Sequence, residues 1–243
     1  MRTQDSTTSM KFAWLAVFAV AMGFLEAIVV VYLRQIYYPQ GFEFPLVLLS
    51  PELMTVELIR EAATLIMLAA VGIIAGRNNL QRLLYFLFSF AVWDILYYVA
   101  LKIFLGWPPS LMTWDLLFLI PITWIGPVLA PVICSLTMIL MAVVLIPLQE
   151  RSVSFRTSFS QWALVFLGAF MILYTYLIDF TRLFKDSGIL SGDRTPAEED
   201  NLKMMITQFI PTSYNWLLFA AGELIILAGV ALMIIKNNNK NQP

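Results

Sequence analysis

Six stretches of about twenty mainly apolar residues run through the sequence, and they leave few architectures open. A helix needs about 20 such residues to cross the hydrocarbon core of a bilayer. Barrel strands instead alternate over about 10 residues, so these long and even runs predict helices. We therefore expect an all-α fold, a polytopic membrane helix bundle in which residues 1–243 form a single integral membrane domain. The predicted spans are residues 12–33, 53–76, 83–105, 127–148, 162–184 and 214–235.

The composition agrees with a chain that is solvated by lipid. Hydrophobic residues make up 60% of the sequence and charged residues 13%, whereas soluble domains have about 45–50% and about 25%. The first partner that the sequence implies is therefore the lipid bilayer. The formal net charge of −1 provides no basic face for phosphates and argues against nucleic acid.

The basic residues of the connecting segments predict the orientation. Arg77 and Arg82 lie between the second and third spans, and Arg151 and Arg156 between the fourth and fifth. Cytoplasmic segments carry an excess of Lys and Arg, so we expect both termini in the cytoplasm of a bacterial-type plasma (inner) membrane. On the opposite side acids outnumber bases: Glu43, Glu52, Asp115, Asp186, Asp193, Glu198, Glu199 and Asp200 against Arg34, Lys102, Arg182, Lys185, Arg194 and Lys203.

Two segments on that side are predicted to contain short helices that do not cross the membrane. The chain after the third span is broken by Trp107-Pro108-Pro109, and an apolar stretch that is too short to cross ends at Pro121. It predicts a short helix near residues 113–121, either re-entrant or lying in the headgroup plane. Later, Thr195-Pro196-Ala197-Glu198 is typical of a helix start and predicts a short surface helix.

Ionisable residues inside the predicted spans are the main functional signal. A charge at the centre of a spanning helix costs about 2.5–3.5 kcal/mol on insertion scales, so such residues usually face the bundle interior. With the predicted orientation, all of them fall between the midplane and the outer surface. They are Glu26, Glu57, Arg60, Glu61, Asp94, Asp179, Arg182 and Glu223.

Helical spacing places several of these residues on shared faces. Glu57, Arg60 and Glu61 follow an i, i+3, i+4 pattern and form one polar stripe. Asp94 forms a second face with Tyr97 and Tyr98, two aromatic residues of an interfacial belt or of a lipid- or cation-binding wall. Asp179 and Arg182 are three residues apart and can pair with each other.

The first span has a small-residue pattern that predicts a close helix contact. Ala19, Gly23 and Ala27 are spaced by four residues, which lets two backbones approach each other. That contact would turn the adjacent Glu26 into the bundle.

Two interpretations of these charges remain open. In the first they are structural ion pairs that fix one helix to another. In the second they line a cavity that opens to the outside, where Glu26, Glu57, Glu61, Asp94 and Glu223 oppose Arg60 alone. Such a surplus of carboxylates in a low dielectric requires protonation or a bound cation.

The sequence has no histidine, and this argues against several cofactors. Haem b, di-iron and histidine-ligated zinc sites all use histidine, as does a Ser-His-Asp triad. A metal would have to be held by carboxylates and carbonyls, which suits Mg²⁺ or Ca²⁺. We therefore expect no cofactor and assign no catalytic residue.

Three functions fit these features. The first is the binding or transport of a cation, a proton or a cationic solute at the acidic cluster. The second is an intramembrane enzyme for a lipid or polyprenyl substrate, with carboxylates as general acid and base or Mg²⁺ ligands and Arg60 on a phosphate. The third is an accessory or assembly subunit, with a membrane-protein partner or a second copy of the chain.

Overall fold

The computed structural model describes residues 2–152, 155–187 and 196–238, and this part of the chain is a helical bundle with one β-hairpin. The helices are α1 (Arg2–Tyr37), α2 (Pro51–Ala75), α3 (Asn79–Leu105), α4 (Leu129–Arg151), α5 (Phe159–Asp186), α6 (Pro196–Gln208) and α7 (Trp216–Asn238). The hairpin consists of β1 (Trp114–Phe118) and β2 (Trp124–Pro127) and lies between α3 and α4.

Six of these helices, all except α6, are long and apolar enough to cross a membrane. The predicted all-α bundle is therefore confirmed, and the chain is a multi-pass membrane protein. The helices overlap the predicted runs, although α1 begins at residue 2, ten residues earlier than predicted, and α4 and α7 begin at residues 129 and 216, two residues later. Apolar side chains such as Ile66, Ile74 and Leu217 are exposed on the outside of the bundle, where they contact lipid.

Local sequence signals explain where the helices begin and end. Ser50 precedes α2 and its hydroxyl accepts a hydrogen bond from the Leu53 N–H at 3.3 Å. Asn78 precedes α3 and caps it through the Gln81 N–H at 3.0 Å. At the other end of α3 the chain turns at Gly106, whose φ of +68° is a left-handed conformation that glycine adopts without strain.

Small residues set the closest helix contacts. Gly23 of α1 lies against α3, where an added Cβ would be 2.7 Å from the carbonyl oxygen of Trp93. Ala19 and Ala27 are fully buried. These contacts confirm the close approach that their spacing predicts.

The second close contact joins α5 and α7. A Cβ at Gly222 would lie 2.8 Å from the carbonyl oxygen of Gly168, so the two backbones meet at these glycines. The main core fills the space between α1, α3, α4, α5 and α7, and its fully buried members include Leu84, Tyr85 and Met233. In contrast, α2 packs mainly on α3 and has little direct contact with α1.

The predicted short helix near residues 113–121 is wrong, because this segment is a β-hairpin. Its strands are antiparallel, with Asp115 opposite Gly126 and Leu116 opposite Ile125. The hairpin satisfies its backbone groups across the two strands, as an irregular segment buried against helices requires. It lies at the end of the bundle where α1, α3 and α5 finish, which we call the hairpin end.

The predicted surface helix is present as α6, which begins at Pro196. Thr195, the first residue of the predicted helix start, lies outside the described residues.

Candidate functional site

A cavity of about 220 Å³ lies at the hairpin end, between α1, α2, residues 38–49 and strand β1. We call it the first cavity. Much of its wall is apolar, with Val30, Leu33, Leu46 and Met54 among the lining residues. Its ionisable lining residues, apart from tyrosines, are Glu26, Arg34, Glu57, Arg60, Glu61 and Asp115.

Arg60 is the centre of one charged group in this wall. Its Nη2 lies 2.8 Å from Oε2 of Glu57, one helical turn earlier on α2. Its Nη1 contacts Glu26 on α1, and the Thr64 hydroxyl donates a hydrogen bond to Oε2 of Glu26 at 3.1 Å. Glu26 and Glu57 are buried and share the single positive charge of Arg60, which joins α1 to α2 where the two helices have little direct contact.

Glu61 has a different environment, although it lies on the same stripe of α2. Its two carboxylate oxygens lie 3.0 and 3.1 Å from the backbone N–H of Leu119, which follows strand β1. The residue is only 6% exposed. Glu61 therefore connects α2 to the hairpin, and its carboxylate accepts a backbone N–H where Glu26 and Glu57 contact a guanidinium.

A second charged group consists of Arg34 and Asp115, with 2.9 Å between Nη2 and Oδ1. The Arg34 guanidinium carbon lies 3.8 Å from the ring centroid of Trp107 and 4.3 Å from that of Phe42. Burial raises the pKa of Asp115, while Arg34, the Leu116 N–H and the Tyr98 hydroxyl act in the opposite direction. The pair fixes the end of α1 to the hairpin.

Arg34 and Asp115 fall outside the predicted spans, so neither was predicted to be a site residue. A signal existed for Arg34, because Glu26, Val30, Arg34 and Tyr37 fall on one face of a single helix and all line the first cavity. For Asp115 the only signal was an isolated acid inside a short apolar segment.

A second cavity of about 420 Å³ lies deeper in the bundle, between α3, α4, α5, α7 and the hairpin. Asp94 lines it and accepts a hydrogen bond from the Ser135 hydroxyl at 2.9 Å. Glu223 also lines it and accepts one from the Thr137 hydroxyl at 2.7 Å. No lysine or arginine among the described residues lines this cavity.

Strand β1 separates the two cavities. Leu117 and Phe118 belong to the lining of both. The hairpin is therefore the common wall between a cavity with mixed charges and one with carboxylates only.

The predicted site residues consequently form two groups rather than one. Glu26, Glu57, Arg60, Glu61 and Tyr97 line the first cavity, and Asp94 and Glu223 line the second.

Three other predicted residues line neither cavity. Tyr98 packs against Tyr97 and Trp107, with ring centroids 5.0 and 6.5 Å apart. Asp179 and Arg182 form a long pair of 3.8 Å near the end of α5, where Arg182 is 67% exposed. An exposed pair of this kind contributes little to stability.

Within residues 2–152, 155–187 and 196–238, no group of three or more histidine, cysteine, aspartate or glutamate side chains could hold a metal ion. The carboxylates of the first cavity are instead bound to Arg60, Arg34 and a backbone N–H.

Comparisons with protein-family models, with curated proteins and with solved structures found no match. The function is therefore argued from the two cavities themselves.

Proposed function

We propose that the first cavity binds a small organic cation. The observation that carries this proposal is the charge of its wall, where Glu26, Glu57 and Glu61 surround a single Arg60. Since Arg34 is matched by Asp115, the fully ionised lining has a surplus of two negative charges. In a largely apolar enclosure such a surplus favours a bound cation or a proton.

The aromatic part of the wall supports a cation of the ammonium type. Tyr37, Tyr38, Tyr97, Phe118 and Phe180 line the cavity together with the glutamates. Aromatic faces attract ammonium groups through their quadrupole, by about 0.5–2 kcal/mol depending on desolvation. The volume of about 220 Å³ limits the occupant to a small solute, since pockets for drug-sized ligands begin at about 300 Å³.

We further infer that the cavity faces the outside of a bacterial-type inner membrane, with both termini in the cytoplasm. The support is the distribution of basic residues. Arg77 lies in the turn between α2 and α3 and Arg82 in the first turn of α3, while Arg151 ends α4 and Arg156 lies between α4 and α5. Both turns are at the end opposite the hairpin, and basic turns of this kind mark the cytoplasmic side.

The enzyme hypothesis has less support. It requires Arg60 for a substrate phosphate, whereas Arg60 is engaged with Glu26 and Glu57. No specific contact favours the hypothesis of an accessory subunit.

Binding of four organic ammonium ions to the purified protein in lipid nanodiscs tests the proposal. The probes are methylammonium, tetramethylammonium, choline and putrescine, measured by isothermal titration calorimetry. We expect at least one to bind, and Glu61→Gln to weaken it about tenfold or more, which corresponds to about 1.4 kcal/mol. Glutamine keeps an oxygen for the Leu119 N–H, so the variant removes the charge and retains the hairpin contact.

Glu52→Gln is the matched control, because Glu52 is an exposed glutamate on the same helix outside the cavity. The proposal is wrong if none of the four ammonium ions binds, or if both variants bind like the wild type. Uptake of the ion that binds into proteoliposomes then separates transport from binding alone.

A further inference from the structure

We propose that the second cavity binds an apolar molecule that carries a protonated amine, with Glu223 as its counter-ion. This inference concerns a different cavity and a different class of ligand, and it does not rest on the proposed function of the first cavity.

The shape and lining of the cavity call for a mainly apolar occupant. Its walls include Phe90, Met138, Met141, Ile172 and Leu173. The volume of about 420 Å³ falls within the range of about 300–1,000 Å³ that is usual for sites of small organic ligands. Such sites place a few polar groups in an apolar wall, and these groups fix the orientation of the ligand.

Glu223 is the polar group in this wall that has one carboxylate oxygen without a hydrogen-bond donor in the described part of the chain. It is 7% exposed, and its Oε2 accepts the Thr137 hydroxyl. Its Oε1 is buried and has no hydrogen-bond donor of ordinary geometry among the described residues, although the Cys134 thiol lies beside the carboxyl. A buried carboxylate oxygen without a donor is costly, so a ligand N–H in the cavity would be stabilised there.

The second carboxyl group of the cavity adds to its preference for a positively charged ligand. Asp94 also lines it, and the Ser135 hydroxyl is a neutral donor that does not compensate its charge. Because no described lysine or arginine lines the cavity, an amine is attracted to it and a carboxylate of the same shape is repelled. Charge complementarity therefore selects an apolar amine over an apolar acid.

Trp124 lines the same cavity and provides a local reporter. The probes are 11-bromoundecylamine and 11-bromoundecanoic acid, whose bromine quenches tryptophan emission on contact. They are titrated into the protein in nanodiscs, and the Trp124 signal is the difference between the wild type and Trp124→Phe. This difference removes the quenching of lipid-facing tryptophans such as Trp14, which is 68% exposed.

We expect the amine to quench Trp124 saturably, with an affinity about tenfold or more above that of the acid. Glu223→Gln should weaken the amine about tenfold or more, whereas Glu223→Asp, which keeps the charge, should stay within about threefold of the wild type. Ala169→Phe, which places a ring at the exposed side of the cavity on α5, should abolish the saturable quenching.

Several results would overturn the inference. They are equal quenching by amine and acid, no saturable quenching of Trp124, unchanged binding in Glu223→Gln, and saturable quenching that persists in Ala169→Phe. The comparison of amine with acid needs only the wild type and Trp124→Phe, so it decides the matter even if a Glu223 variant fails to fold. Since the bromoalkyl probes report on Trp124, this outcome is independent of the ammonium-ion titrations on the first cavity.

Discussion

Arg34 and Asp115 form a buried ion pair, with 2.9 Å between the guanidinium and the carboxylate, that fastens the end of α1 to strand β1. The exposed fractions of the two residues are 7% and 1%. A second contact holds the other end of strand β1, where Glu61 of α2 accepts the Leu119 N–H. The wall between the two cavities is thus attached to two different helices through charged side chains.

Breaking the first attachment should be costly. Asp115→Asn leaves the Arg34 guanidinium buried without its counter-charge, and we expect a loss of about 3–5 kcal/mol in the free energy of unfolding. Thermal unfolding in detergent, followed by circular dichroism, measures the loss. Asp200→Asn is the control, because the Asp200–Lys203 pair is exposed and its removal should leave the midpoint unchanged. Equal midpoints for the two variants would contradict the structural role of the Arg34–Asp115 pair.

The second attachment should respond to the loss of the acceptor rather than to the loss of charge. Glu61→Ala leaves the Leu119 N–H without its acceptor, at a cost of about 1–3 kcal/mol. We expect faster amide hydrogen exchange across residues 114–127 by mass spectrometry. Glu61→Gln keeps an acceptor oxygen and should retain most of the protection, so a glutamine variant that exchanges like the alanine variant would count against this contact.

The contact between α5 and α7 should not tolerate a side chain at its centre. Gly222→Leu would place side-chain atoms against the backbone of Gly168 and should destabilise the bundle by about 1–3 kcal/mol. Ala220→Leu on the same helix is the control, since Ala220 is exposed and faces away from this contact. The thermal midpoints of both variants give the comparison, and a Gly222→Leu variant as stable as the control would show that the glycines are not in close contact.

The inferred orientation can be checked with single cysteines in a Cys134→Ser background. Gln40 is exposed at the hairpin end and Asn238 is exposed at the end of α7. In intact cells we expect a membrane-impermeant maleimide to label Gln40→Cys but not Asn238→Cys. Asn238→Cys should react only after the membrane is opened. The reverse pattern would place the first cavity on the cytoplasmic side.

Much of the fold could be predicted from the sequence, because its strongest signals are local. The length of the apolar runs gives the six spanning helices. The spacing of Ala19, Gly23 and Ala27 gives the contact with α3, since small residues four positions apart share one helix face. The pair of Glu57 and Arg60 follows from a separation of three residues on α2.

The hairpin could not be predicted in this way. A strand with one wet face alternates apolar and polar residues, whereas Trp114-Asp115-Leu116-Leu117-Phe118 is covered on both sides by helices and loops and shows no such alternation. Without the alternation, a short apolar segment of this kind looks the same as a short helix.

The division of the charged residues between two cavities also could not be predicted from the sequence. Glu26 and Asp94 lie on α1 and α3, which pack together, yet they line different cavities. Which side of a helix faces which neighbour depends on the rotation and order of helices in the bundle. The spacing of residues along one helix does not contain that information.

The position of Phe118 gives the two cavities a shared dependence. Because this residue lines both, a movement of strand β1 at Phe118 that enlarges one cavity takes space from the other. A solute that displaced the strand on one side would change the free energy of filling the opposite side. Thermodynamic linkage makes that effect equal in both directions. The hairpin would then couple the two cavities, so that a ligand bound in one changes the affinity of the other.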